Sequence, residues 1–205
     1  MLLLLLGITA GIFSVNMDYT IHPEIESLNK AIPLSHRFTR ESWGWSWSTG
    51  FVEKNVIFGL QNIKGSQKQE KEKVSMDLSF NARMFEVGYL FDLPIIMVYL
   101  EGGGGYSHVN LNVAKVPDSS TFSGILKEPG GTADLTGSCL SISFSGGFII
   151  PLTEYLGVNL IAGYVFGLKK PDWKFESGDE VYNDPNMNLH QIYIKAGFVL
   201  GSFKH

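Results

Sequence analysis

At 205 residues with a formal net charge of −4, only 18% charged side chains and 23 glycines, the chain fits a single domain, residues 1–205. The acidic balance gives no reason to expect a nucleic-acid partner. A single cysteine, Cys139, excludes an internal disulfide and any multi-cysteine zinc centre.

The first segment, Leu3–Val15, has two readings. Met1–Ser14 resembles the apolar region of a signal peptide but has no Lys or Arg before it, and it falls short of the roughly 20 residues a spanning helix needs. Read in alternation, Leu4, Leu6, Ile8, Ala10 and Ile12 share one face, with Gly7, Thr9 and Gly11 on the other. The second reading, a first strand whose signal peptide is missing from this chain, is preferred. A long connection, 16–40, follows, in which Pro23–Ala31 is expected to form a short helix with Ile25, Leu28 and Ile32 on one side. The spacing of His22, Glu24, Glu26 and His36 does not make a metal site.

Glu41–Val52 alternates most cleanly: Trp43, Trp45, Trp47, Thr49 and Phe51 oppose Ser42, Gly44, Ser46, Ser48 and Gly50. Alternation alone also fits a soluble strand. Here, however, the polar face is Ser and Gly, which suits the inside of a narrow barrel better than a wet surface. A tight turn at Glu53–Lys54 leads into Asn55–Ile63, placing Trp47 opposite Leu60 and Phe51 opposite Val56 on one apolar face.

The loop Lys64–Lys73, with four lysines and two glutamates, precedes Val74–Phe91. That strand resists the pattern. Met76, Leu78, Phe80, Ala82 and Met84 are expected outside, which would carry Glu86 outward; either a bulge near Met84–Phe85 resets the faces or Glu86 sits at the headgroup level. After a turn near Asp92, Ile95–Val113 contains Glu101–Gly105. This glycine run lacks the following helix, Lys and Ser or Thr of a phosphate loop, so it is expected to bend the barrel or admit close packing. Ser107 and His108 are adjacent and therefore point to opposite faces, which does not make a hydrolase pair.

Beyond the connection 114–138, Leu140, Ile142, Phe144, Phe148 and Ile150 oppose Cys139, Ser141, Ser143, Ser145 and Gly147. After a short connection at Pro151–Tyr155, Leu156–Leu168 sets Tyr164 and its even-numbered neighbours against Gly157, Asn159, Gly163 and Gly167. A last connection, 169–188, carries Asp179, Glu180 and Asp184, whose spacing lacks an EF-hand pattern. In Leu189–Leu200, Ile192, Ile194 and Phe198 oppose Gln191, Tyr193, Lys195 and Gly197.

Eight such segments, with tight turns at one rim and long polar loops at the other, give an all-β, closed, antiparallel up-and-down transmembrane barrel. A membrane would force closure, because an unpaired amide in hydrocarbon costs several kcal/mol. The faces bearing Trp43, Trp45, Trp47, Phe51, Phe144, Phe148, Tyr164, Ile192, Ile194 and Phe198 are expected to meet lipid or its interface. Asp77, Arg83, Glu101 and Lys195, with Gln61, Asn81 and Asn159, are expected to fill the lumen, Arg83 beside Glu101.

In this pattern the chain resembles the small eight-stranded bacterial outer-membrane barrels, the OmpA transmembrane domain and OmpX among them. The resemblance is architectural and covers nearly the whole chain. It implies an outer-membrane location and a structural or interaction role. Outer-membrane lipids would be its partners; the loop Lys64–Lys73 itself reads first as a solvated hairpin tip, with lipopolysaccharide at Lys68, Lys71 and Lys73, or other envelope components at the long loops, as the alternative. A monomer without cofactor or metal is expected. A barrel enzyme acting on lipids and a narrow pore are the alternatives.

Overall fold

The structure is a computed structural model that describes residues 10–30, 37–71, 74–115, 131–175, 177 and 187–203. Nine strands and one short helix make it up: β1 (Ala10–Ile21), α1 (Ile25–Asn29), β2 (Glu41–Glu53), β3 (Val56–Lys71), β4 (Val74–Asp92), β5 (Met97–Lys115), β6 (Gly131–Pro151), β7 (Leu156–Gly167), β8 (Asp172–Phe175) and β9 (Gln191–Leu200). Eight antiparallel strands close a ring in the order β1-β2-β3-β4-β5-β6-β7-β9, and β8 pairs outside the ring with the start of β6.

Following paired residues around the wall runs Ala10, Val52, Ile57, Gly88, Glu101, Ser145, Gly163, Tyr193 and then Thr20. The circuit returns to β1 ten residues further on, so the barrel has a shear of ten. With strands about 4.8 Å apart and about 3.3 Å rise per residue, that stagger tilts them by about 40°.

The turns explain small shifts in register. Lys54 and Asn55, with φ of 48° and 70°, form the two-residue turn that twisted hairpins favour. The turn thus sits one residue later than expected, so Phe51 pairs with Phe58 and Thr49 with Leu60. Faces are unchanged, because the slip is even. Likewise Phe148 pairs with Leu160 and Phe144 with Tyr164.

β4 corrects the expectation outright. Its pairing with β3 and β5 is continuous through Met84 and Phe85, so there is no bulge. Met76, Leu78, Phe80, Ala82, Met84 and Glu86 all point inward. Outward stand Asp77, Ser79, Asn81 and Arg83, then Phe85, Val87, Tyr89 and Phe91. The strand crosses two media. Near the tight turns its outer face is apolar; further up, the apolar residues are inside and the polar ones outside.

β1 is also corrected. It runs from Ala10 to Ile21, with Phe13, Val15 and Met17 outside and Ile12, Ser14, Asn16, Asp18 and Thr20 facing in. Leu4, Leu6 and Ile8 lie outside the described residues. Several segments expected as loops are strand: β3 continues to Lys71, β5 to Lys115, and β6 begins at Gly131.

Two cores result. The lower contains Val52, Ile57, Leu90, Met97, Tyr99, Ile149, Val199 and Phe203. The upper contains Ile25, Leu28, Phe38, Leu78, Phe80, Val109, Trp173, Met187 and Leu189, inside the part of the sheet that projects upward. Helix α1 helps to cover that end, burying Ile25 and Leu28 as its spacing predicts. Asn29 clamps Phe38 through both its backbone N–H and its carbonyl, and Glu24 accepts the Asn188 N–H at 2.7 Å.

Candidate functional site

Between the two cores lies a polar layer. Lys195, fully buried on β9, donates through Nζ to Gln61 Oε1 at 2.5 Å and to the Asn62 carbonyl at 3.2 Å. Gln61 Nε2 in turn donates to Glu86 Oε2 at 2.5 Å, and Ser143 Oγ donates to Glu86 Oε1 at 2.9 Å. The Lys195 ammonium also lies 5.2 Å from the centre of the Tyr193 ring. Beside Lys195 on the neighbouring strand β1, its register partner Asp18 accepts Ser46 Oγ at 2.5 Å and the Lys64 backbone N–H at 3.1 Å.

Of the residues expected in the lumen, Glu101, Lys195, Gln61 and Asn159 are there. Asp77, Arg83 and Asn81 are not: they stand on the outer wall of β4, Asp77 and Arg83 exposed and Asn81 partly covered. Arg83 pairs in register with Tyr106, not with Glu101. Two lumen carboxylates escaped the sequence reading. Asp18 falls, by the apolar run before it, in the expected connection 16–40, and the spacing of β4 leaves the face of Glu86 open.

Glycines seat the carboxylates. A Cβ on Gly103 would lie 2.1 Å from the Phe85 carbonyl oxygen and 2.8 Å from Glu86 Cγ; one on Gly88 would lie 2.5 Å from Glu101 Cγ. The run Glu101–Gly105 therefore serves close packing, as expected. A cavity of about 50 Å³ opens beside Glu86, Glu101, Gln61 and Asn159.

At the upper end of β1 the fold brings a serine and a histidine together. His22 Nε2 lies 2.9 Å from Ser42 Oγ, and Ser42 is also bonded to Thr20. Both are buried, the imidazole stacks on Phe80 at 3.7 Å, and its Nδ1 has no partner among the described residues. Burial holds the imidazole far below its ordinary range, at about 3. Such a pair lacks the orienting acid and the exposed hydroxyl that acyl transfer needs. Ser107 faces inward, bonded to Ser141 at 2.8 Å, and His108 points outward.

No three His, Cys, Asp or Glu side chains gather at one point among the described residues. Lys68 pairs with Glu70 on the outer face of β3. Lys73, His36, Asp179, Glu180 and Asp184 lie outside the described residues.

The outer wall bears Trp43, Trp45 (69% exposed), Trp47, Phe144, Ile192, Ile194 and Phe198, with Phe51, Phe148 and Tyr164 half-buried among them. The stagger of the strands brings Tyr19, Trp43, Tyr106 and Tyr164 to one level, within about one residue's rise. Below that ring the outward-facing residues are largely apolar, as in the lipid-facing band of known barrels. Among the described residues no helix is long and apolar enough to cross a membrane.

No known family model matches the sequence, and no curated protein does. Among solved structures the chain is similar to Ail, the attachment invasion locus protein of Yersinia pestis, in complex with the heparin analogue sucrose octasulfate. The identity is 9% and the TM-score 0.55, over 94% of this chain and 97% of that one. It is also similar to Neisserial surface protein A, at 10% identity and a TM-score of 0.58, over 93% and 97%. The chain has the closed fold of the small eight-stranded outer-membrane β-barrels.

Proposed function

We propose that the protein is an outer-membrane barrel that spans the bilayer with its lower band, does not conduct, and acts as an interaction module through the part projecting above. The reversal along β4 carries this reading: Phe85, Val87, Tyr89 and Phe91 suit hydrocarbon, whereas Asp77, Asn81 and Arg83 suit water. Lys64 and Arg83 flank the upper aromatic ring, where they suit the phosphates of outer-leaflet lipopolysaccharide. A ring closed on itself exposes no long sheet edge to lipid, which favours a monomer. The projecting sheet has its own apolar core, as a surface meant to hold its shape against a partner requires.

The apolar layers above and below the Lys195–Gln61–Glu86 network support the non-conducting reading, and the cavity beside Glu86 is small, about 50 Å³. Planar-bilayer recording tests it: reconstituted protein is expected to give no steady channels, and a stable open pore would contradict it. Lipid hydrolysis is disfavoured by the buried state of Ser42 and His22. Incubation with radiolabelled phospholipid is expected to release no acyl chain.

A further inference from the structure

We propose that the cavity beside Glu86 and Glu101 binds one hard divalent cation of the calcium class, ligated by the two carboxylates and the Asn159 amide oxygen. The site lies inside the barrel, so it stands apart from the outer-membrane reading.

Charge is the first reason. The lumen holds the carboxylates of Asp18, Glu86 and Glu101 against the single ammonium of Lys195. That ammonium donates to two neutral oxygens, Gln61 Oε1 and the Asn62 carbonyl. Asp18 is the register neighbour of Lys195, so with every carboxylate ionised Glu86 and Glu101 carry the net charge of two, which either protons or one divalent ion must offset. One divalent ion supplies that deficit.

Geometry is the second. Glu86 and Glu101 lie diagonally on neighbouring strands, each beside a residue that pairs with the other's strand: Glu86 opposite Gly103, Glu101 opposite Gly88. The missing Cβ atoms at those glycines leave both side chains room to lie against the wall and face the same cavity. Among the described residues Glu101 accepts only a long bond from Ser145 Oγ, at 3.4 Å, which leaves its oxygens largely free for an ion.

The third reason is independent of the acids. Asn159 is 3% exposed, lines the same cavity, and its Oδ1 has no hydrogen-bond partner among the described residues. A buried amide oxygen without a donor wants a cation or water. All the available donors are oxygens, which suits calcium, with ligand distances of about 2.3–2.6 Å, over softer metals. The space of about 50 Å³ holds an ion with a few waters completing its shell.

The test uses the full chain refolded into detergent with calcium and then desalted. Elemental analysis is expected to find one calcium per wild-type barrel and its loss in the E86Q/E101Q double variant. Urea unfolding should shift to higher midpoint with calcium over EDTA in the wild type alone. If the double variant does not fold, E101Q and N159L are each expected to lose the metal. Metal-free wild-type protein would overturn the proposal, leaving protons or water to fill the cavity. Calcium retained in the variants would also overturn it, locating the ion at surface acids.

Discussion

The Asp18 carboxylate accepts the Lys64 backbone N–H at 3.1 Å, two strands away. The β2–β3 ladder pairs Trp43 with Ser66 and resumes only at Ser48 with Gln61. Between them, Lys64 N–H turns to Asp18 and the Asn62 carbonyl turns to Lys195. Gly44, opposite Asp18 on β2, carries no side chain to block the reach. The lumen charges thus complete a wall that the backbone leaves unfinished.

Removing Lys195 should therefore be costly. Lys195→Met leaves the Asn62 carbonyl without its donor and the buried carboxylates without their cation, a loss of about 3–5 kcal/mol. Asp18→Ala orphans the Lys64 N–H and should cost about 1–3 kcal/mol. Urea midpoints of the folded barrel in detergent measure both, with Lys169→Ala, at an exposed pair with Asp172, expected to leave the midpoint unchanged.

The two faces of β5 separate packing from composition. Gly103→Ala must push on the Phe85 carbonyl and should destabilise by about 1–3 kcal/mol. Gly104→Ala, one residue on and facing outward, meets nothing nearer than the Ser141 carbonyl oxygen at 3.8 Å. Its midpoint is expected to stay within about 0.5 kcal/mol of wild type.

How much of this was legible depends on whether a strand crosses one medium or two. β2, β6, β7 and β9 set Ser, Gly or polar residues against bulky apolar ones through the band, so their faces follow from spacing alone. β4 does not: Met76 to Met84 inside and Phe85 to Phe91 outside look, in sequence, like one apolar face broken by a bulge. That pattern sets Asp77, Asn81 and Arg83 inward and leaves the face of Glu86 open. At β1 the apolar run before Ala10 drew the strand too early and hid Asp18. Charged stretches such as 64–71 looked like loops because a strand in water above a membrane has a loop's composition.

The two cores should melt separately. Trp173, 3% exposed, anchors β8 in the upper core. Trp173→Ala should cost about 3–5 kcal/mol locally. Hydrogen exchange is expected to speed up in β8 and the start of β6 while β7 and β9 keep their protection.

His22 gives the upper core a pH dependence. Burial holds its folded-state value at about 3, against 6.5 for a free imidazole. Between those limits the unfolded chain takes up a proton that the folded chain refuses, so stability falls as pH drops below 6.5. The slope is about 1.4 kcal/mol per pH unit at most. Denaturant midpoints at several acidic pH values should show it, and His22→Gln should flatten it.

The central claim is that hydrocarbon surrounds the lower wall, and Trp47 sits about midway up that band. Two single-tryptophan proteins, one keeping Trp47 and one keeping Trp173 with the others changed to Phe, can be reconstituted in bilayers of lipid brominated along the acyl chains. Fluorescence from Trp47 is expected to be strongly quenched and that from Trp173 unaffected. Unquenched Trp47 emission from the folded, reconstituted barrel would contradict the account.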